Sequence, residues 1–187
     1  MEAITNLKSI FNAEDLYSIK DKISLWNFEK LNGIGFYTGH DKYCYLEICV
    51  YEFDAYADKK TLNIFSGSLI DWKVDKDIFP IGMYERYKEE LFRYGNFVAD
   101  SFSLLIGKRV NLIFEINFSG YHPTDNWAKG ACGRAFINAI VSCFDEGMYK
   151  QGLAHKSGYY NKSRLDQIKK LTPSMDKAFP YDHNTIQ

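Results

Sequence analysis

The residues best suited to chemistry in this sequence lie in one short polar segment, NFSGYHPTDNW, which spans residues 117–127. Within it, Asp125 follows His122 by three positions, between a run of alternating apolar residues and a run with helical spacing. Histidine titrates near neutral pH and a carboxylate can orient its ring, so the two could form an acid–base pair. The same residues could instead shape a loop that touches a large partner. For Asp125 a plain helix cap is favoured over chemistry.

The enzymatic interpretation lacks both a nucleophile and a nucleotide site. Ser119 is not in a G-x-S-x-G turn, and Cys132 falls inside a predicted helix. No G-x-x-x-x-G-K-S/T run occurs, and the other histidines have neither H-x-x-H nor H-E-x-x-H spacing. We therefore expect no enzymatic activity, no cofactor, no metal site and no bound nucleotide. A hydrolase or transferase that uses His122 and Asp125 is the least favoured hypothesis.

A second segment of interest is GIGFYTGH, residues 33–40, in which three glycines accompany aromatic residues and a histidine. Glycines between two strands usually mark a turn that needs positive φ, so we predict that residues 32–41 form a loop. Flexible loops with stacking side chains also recur at RNA contacts, which gives the segment a functional alternative.

The balance of charge limits the possible partners. The chain has 23 basic and 24 acidic residues and a net charge of −1, so no overall field attracts it to nucleic acid. Non-specific DNA binding is disfavoured, although a small RNA contact stays open. The N-terminal residues lack a basic head followed by a long apolar core, and no apolar run approaches ~20 residues. We expect no signal peptide, no membrane partner and a cytoplasmic location.

The four cysteines, Cys44, Cys49, Cys132 and Cys143, form no C-x-x-C motif and have no histidine nearby at metal-binding spacing. Because an unpaired cysteine packs as a small apolar side chain, we expect four buried free thiols.

Alternation of apolar residues predicts the strands. It is clearest over residues 110–118 and 43–53, and it also occurs over residues 61–74, where Gly67 is expected to break the strand. Residues 17–28 fit both a helical and an alternating pattern, and a strand after about Tyr17 is preferred.

Apolar residues that recur every three or four positions predict two helices. One runs from Pro80 to a stop at Gly95, and the other from Asp125 or Asn126 to about Tyr149. The order strand, strand, strand, helix, strand, helix predicts an α+β domain, a sheet with two helices on one face. We assign an N-terminal extension to residues 1–16, the domain to residues 17–150 and a polar C-terminal extension to residues 151–187.

Several motifs in this order have counterparts in a known family. They are FPIGMY at 79–84, the strand VNLIFEINF, SGYHPTD at 119–125, and Arg134-Ala135-Phe136 through Phe144. The stretch resembles the fourth domain of elongation factor G and of the tetracycline-resistance ribosomal protection proteins. There IP-x-x-Y precedes a helix, a strand, G-S-Y-H-x-V-D-S-S and A-F-x-x-A-x-x-x-A-F. Upstream, GIGFYTGH is similar to that domain's G-G-R-G-Q-Y-G-H.

The resemblance implies a fold and a function. The fold would be a two-layer sandwich of the ribosomal-protein domain-2-like type, with a mostly antiparallel four-stranded sheet, two helices on one face and a left-handed β-α-β crossover. In the elongation factor the two loops project from one tip into the decoding site of the small ribosomal subunit, where they touch tRNA and ribosomal RNA. Carried over by position, the binding residues would be Gly35, Phe36, Tyr37, Gly39, His40, Gly120, Tyr121, His122, Pro123, Thr124 and Asp125.

Departures from the family pattern keep a second hypothesis open. Ile34 and Phe36 replace the arginine and glutamine of the glycine loop, which removes a phosphate-binding fork. The chain also has 14 tyrosines and 14 phenylalanines, some of which could face outward. The leading expectation is a stand-alone binding module without a GTPase domain that contacts the small subunit or another RNA. The alternative is the same fold binding a protein or a second copy of itself.

Overall fold

The computed structural model describes residues 13–39, 42–53, 68–74, 83–121 and 130–159. Within these residues the chain forms five helices and four strands. In chain order they are α1 (Ala13–Ser18), α2 (Lys20–Ser24), β1 (Leu31–Gly39), β2 (Lys42–Glu52), β3 (Ser68–Trp72), α3 (Met83–Ile106), β4 (Leu112–Tyr121), α4 (Ala131–Ser142) and α5 (Glu146–Tyr159).

The strands form one mixed sheet in the order β1-β2-β4-β3. β2 pairs antiparallel with both β1 and β4, whereas β3 pairs parallel with β4. The connection between the two parallel strands contains α3, so β3, α3 and β4 form a β-α-β unit. The predicted α+β class and four-stranded sheet are confirmed, and the strands predicted at 43–53 and 110–118 are confirmed as β2 and β4.

The main core lies between one face of the sheet and helices α3 and α4. The inward side chains of β2 and β4 alternate along each strand, and Phe114 meets Phe136 of α4 with ring centroids 5.2 Å apart. α3 places Tyr87, Leu91 and Val98 on its buried face at helical spacing. Each such large side chain stabilises the fold by roughly 1.5–3 kcal/mol when it is fully buried.

Two glycines of β1 let α4 approach the sheet at backbone distance. A Cβ on Gly33 would lie 2.1 Å from the carbonyl oxygen of Ala139, and one on Gly35 would lie 1.9 Å from that of Ala135. The loop predicted at 32–41 is therefore wrong for residues 32–39, which belong to a strand. The glycines there serve close packing, the other common reason for glycine in a strand.

α5 packs on the opposite face of β1, which the expectation of helices on one face did not include. Ile34 and Phe36 alternate with the two glycines and point to this side, where a Cβ on Gly152 would lie 2.5 Å from Cγ2 of Ile34. Tyr43 and Tyr45 join Ile34 in a second, smaller core on this face.

The strand preferred after Tyr17 is wrong, because the described residues from 13 to 24 form α1 and α2. Leu16, Ile19 and Ile23 are buried at steps of three and four, so the helical period prevails. α3 also passes through Gly95, where a stop was expected, and ends at Ile106. A Cβ on Gly95 would lie 2.8 Å from Cδ1 of Ile70, so this glycine makes room for β3.

The single helix predicted up to Tyr149 is in fact two helices. α4 ends at Ser142, and α5 begins at Glu146, where the carboxylate of Asp145 accepts a hydrogen bond of 2.9 Å from the backbone N–H of Met148. α5 is continuous to Tyr159, across the position where the polar extension was expected to begin.

All four cysteines are free thiols; Cys44, Cys49 and Cys132 are buried and Cys143 is partly buried. Burial is the main cause that raises the pKa of Cys132 and of Cys143 above the usual range. These thiols are packing groups without thiolate character.

Candidate functional site

The strand register brings the two sequence motifs to the same end of the sheet. The last pair of the β1–β2 hairpin is Gly39 with Lys42, and the last pair of β2 with β4 is Cys44 with Tyr121. Cys44 is two residues, or about 7 Å along the strand, from Lys42. The chain thus enters residues 40–41 and residues 122–129 from neighbouring positions. We call this end the tip, defined by Tyr37–Gly39, Lys42–Cys44, Gly120–Tyr121 and the first turn of α4, Ala131–Arg134.

One predicted binding residue, Tyr121, is the last residue of β4, and the other ten fall into three groups. His40, His122, Pro123, Thr124 and Asp125 lie outside the described residues, and so does the acid–base pair. Gly35 and Gly120 are buried within β1 and β4 and form part of the frame. Phe36 and Tyr37 are partly buried and Gly39 is exposed, so this end of β1 has accessible surface.

The first part of the polar segment 117–127 belongs to a strand. β4 continues through Ser119 and Gly120 to Tyr121, and the side chain of Ser119 is 2% exposed. Pairing with β2 extends the strand here, because Leu46 and Tyr45 of that strand lie opposite these small residues.

Arg134 is a tip residue that sequence reasoning quoted only as part of a motif. Its Nη1 donates a 3.0 Å hydrogen bond to the hydroxyl of Tyr37, and its guanidinium carbon lies 5.0 Å from the centre of that ring. The side chain of Arg134 is exposed. An arginine one turn into the helix that follows a candidate loop is a usable signal, but its contact with Tyr37, 97 positions away, is not visible in the spacing.

Helices α4 and α5 hold the end of β1 between them. On one side, Nδ2 of Asn138 donates a 2.8 Å hydrogen bond to the carbonyl oxygen of Phe36. On the other side, the ring of Phe36 stacks on His155, with centroids 3.7 Å apart. Closer to the start of β1, the Oγ of Ser142 accepts a 2.7 Å hydrogen bond from the N–H of Ile34. These contacts cover polar groups of an edge strand and fix the position of Tyr37.

A buried carboxylate anchors the first turn of α4. Glu90 of α3 is 5% exposed, and its Oε1 and Oε2 accept hydrogen bonds from the backbone N–H groups of Gly133 at 2.7 Å and Gly130 at 3.3 Å. Gly130 has a φ of 85°, which favours glycine. The carboxylate therefore fixes the start of α4, and it occupies amides that a helix start would otherwise offer to an anion.

A second polar group of side chains lies near β1, β2 and β4, and we call it the Glu115 cluster. It contains Lys30, Asn32, Cys49, Tyr51, Glu115 and Asn117. Glu115 accepts hydrogen bonds from Nζ of Lys30 at 2.5 Å and from the hydroxyl of Tyr51 at 2.7 Å. The Sγ of Cys49 lies 3.0 Å from Oδ1 of Asn32 and 3.1 Å from Nδ2 of Asn117.

The two charged side chains of the Glu115 cluster, Lys30 and Glu115, form an ion pair with each other. Burial acts to raise the pKa of Glu115, but the hydrogen bonds from Lys30 and Tyr51 outweigh it, and the pKa lies below the usual range. The hydrogen bond to Glu115 raises the pKa of Lys30. Burial raises the pKa of Cys49, so its thiol stays protonated at neutral pH. The arrangement is a satisfied network and has no activated nucleophile.

Two further properties concern the same described ranges. None of the helices there combines the length and apolar character needed to cross a bilayer. Histidine, cysteine and acidic side chains in these ranges do not gather in groups of three or more that could hold a metal ion.

The fold and the tip define an α+β protein with a four-stranded mixed sheet and a polar and aromatic end. No family model matches the sequence, and a search of curated proteins also finds no match.

Proposed function

We propose that the chain is a non-enzymatic binding module of the elongation-factor-G fourth-domain type, which contacts the small ribosomal subunit or another RNA through its tip. The register is the observation that carries the proposal, because it brings two motifs about 80 residues apart in sequence to adjacent strand ends. Loop tips on a rigid frame are common positions for binding residues.

The topology supports this proposal. The resemblance implies a β-α-β crossover, and the parallel pair β3–β4 with α3 between them has that connectivity. We propose that the crossover is left-handed, as in the ribosomal-protein domain-2-like type. Gly35 and Gly120 would then shape the frame, while Tyr37, Gly39, His40 and residues 121–125 would make the contact.

Co-sedimentation with purified small ribosomal subunits in sucrose gradients at low salt tests the proposal. We expect the wild-type protein to travel with the subunits, and the double variant His40→Ala/His122→Ala to do so less. His183→Ala, a change in the C-terminal segment, is the matched control and should behave as the wild type. Absence of wild-type protein from the subunit fractions at low salt would contradict the ribosomal assignment.

Self-association is the second candidate, and exposed leucines favour it. Leu25, which follows α2, is 86% exposed, and Leu104 near the end of α3 is 79% exposed. Apolar side chains make up most of the buried centre of protein interfaces. Sedimentation velocity should then detect a dimer that the double variant Leu25→Ser/Leu104→Ser abolishes. A wild-type protein that stays monomeric at high concentration would exclude this candidate.

A further inference from the structure

We propose that Arg134 is the phosphate contact of the tip and that it binds one phosphate of an RNA backbone. The inference rests on the proposed RNA-binding function and adds a residue outside the two loop motifs. The side chain of Arg134 is exposed, and a hydrogen bond to Tyr37 holds its guanidinium at a defined position.

The geometry leaves most of the guanidinium available. Arginine has five N–H donors in a planar fork. In Arg134, one terminal nitrogen donates a hydrogen bond to the hydroxyl of Tyr37. Among the described residues, no carboxylate forms an ion pair with Arg134. Its hydrogen-bond acceptor is the hydroxyl of Tyr37, and the carboxylate of Glu90 is hydrogen-bonded to backbone amides instead of to the guanidinium. A planar cation with free paired donors matches the oxygens of a phosphate.

The support under Arg134 reduces the entropy lost on binding. Tyr37 provides both a hydrogen bond and a ring face to the guanidinium, and the backbone beside Tyr37 is held by Asn138 through the carbonyl oxygen of Phe36. A long arginine side chain that is already ordered loses less rotamer freedom when it meets its ligand.

The start of helix α4 is not an alternative anion site. Glu90 already accepts hydrogen bonds from the N–H groups of Gly130 and Gly133, and its negative charge opposes a second anion there. Of the α4 amides and the described side chain that follows them, the guanidinium of Arg134 is therefore the group suited to an anion.

The test measures the affinity of the full chain for small ribosomal subunits over a series of KCl concentrations. Arg134→Ala should weaken binding about tenfold, the order expected for losing a charge-assisted hydrogen bond. It should also reduce the steepness of the salt dependence by about 0.7–0.9 in log–log slope, which corresponds to one phosphate contact. Arg134→Lys should keep that slope but bind less tightly, because it keeps the charge and loses the fork.

The matched control is Arg109→Ala, which removes an exposed arginine just before β4, at the end of the sheet opposite the tip. It should bind as the wild type. Tyr37→Phe removes only the hydrogen bond that orients Arg134, so it should weaken binding by a smaller factor. It also supplies a second variant if Arg134→Ala does not fold.

The possible failures are distinguishable. Wild-type binding that Arg134→Ala leaves unchanged overturns the role of Arg134 and leaves the proposed function standing. Absence of wild-type binding overturns both. A loss on intact subunits, together with unchanged affinity for the same ribosomal RNA freed of proteins, assigns Arg134 to an acidic protein surface and overturns the phosphate contact.

Discussion

The tip and the Glu115 cluster use positively charged side chains in different ways. In the cluster, Lys30 is paired with Glu115 at 2.5 Å, so its charge is compensated within the fold. At the tip, Arg134 contacts the hydroxyl of Tyr37 and no carboxylate of the described residues. A polar cluster is therefore not by itself a binding site. An uncompensated charge on a supported side chain is the feature that a partner can use.

The two regions are also stabilised by different means. The end of β1 depends on steric fit against α4, where backbone atoms meet at Gly33 and Gly35. The Glu115 cluster depends on hydrogen bonds between side chains. Substitutions in the two regions should therefore differ in how much they change the free energy of unfolding and in how that change depends on pH.

The largest effect is expected from Gly35→Ala. Its Cβ would lie 1.9 Å from the carbonyl oxygen of Ala135, so helix and strand must move apart. We expect a loss of about 3 kcal/mol in the free energy of unfolding, measured by chemical denaturation. Gly147→Ala is the control, because its Cβ meets only Oδ1 of Asp145 at 3.2 Å and alanine favours a helix. Equal stability of Gly35→Ala and wild type would show that α4 does not pack as described.

The misread glycines show why part of the fold could not be predicted from sequence. Alternation identified β2 and β4, since each strand buries one face. A glycine, however, serves equally for a turn, a positive φ or a close approach, and only the partner element distinguishes these uses. Gly33 and Gly35 face α4, which begins almost 100 residues later, and Gly95 faces β3.

The tip could be predicted from the sequence in part. An antiparallel order of β1, β2 and β4 places the end of β1 and the end of β4 together, and the resemblance pointed to the same two segments. The proposed role of Arg134 could not be inferred from the sequence, because the position of this side chain depends on Tyr37 and Glu90, which lie on other elements. Spacing along one segment carries no information about such contacts.

The next largest effect is expected at the tip from Glu90→Ala. The substitution leaves the N–H groups of Gly130 and Gly133 without their carboxylate partner in a buried setting. We expect a loss of about 2 kcal/mol in the free energy of unfolding, and faster hydrogen exchange at the Gly133 amide. Glu89→Ala, the exposed neighbour on α3, should change neither measurement. Unchanged exchange at Gly133 in the Glu90 variant would show that the cap is not formed.

A smaller effect is expected in the cluster from Glu115→Gln, about 1 kcal/mol at neutral pH. The pKa of Glu115 is lowered in the folded state, so its stabilising contribution is present above the pKa of the unfolded chain and is lost as the pH falls through the folded value. The stability difference between wild type and Glu115→Gln should therefore be constant near neutral pH and shrink below about pH 4. A difference that grows on acidification would contradict the assigned direction of the shift.

The smallest effect on stability is expected from Arg134→Ala, and this variant tests the comparison most directly. The side chain of Arg134 is exposed and its guanidinium is hydrogen-bonded to the hydroxyl of Tyr37, so its loss should change the free energy of unfolding by less than about 0.5 kcal/mol. Lys30→Met removes the cation that is paired with Glu115, whose side chain is 13% exposed, and this should cost roughly 0.5–1 kcal/mol. Thermal unfolding of both variants beside the wild type measures the contrast. If Arg134→Ala destabilises the fold as much as Lys30→Met, the arginine is a structural residue, and its charge is no more available to a partner than that of Lys30.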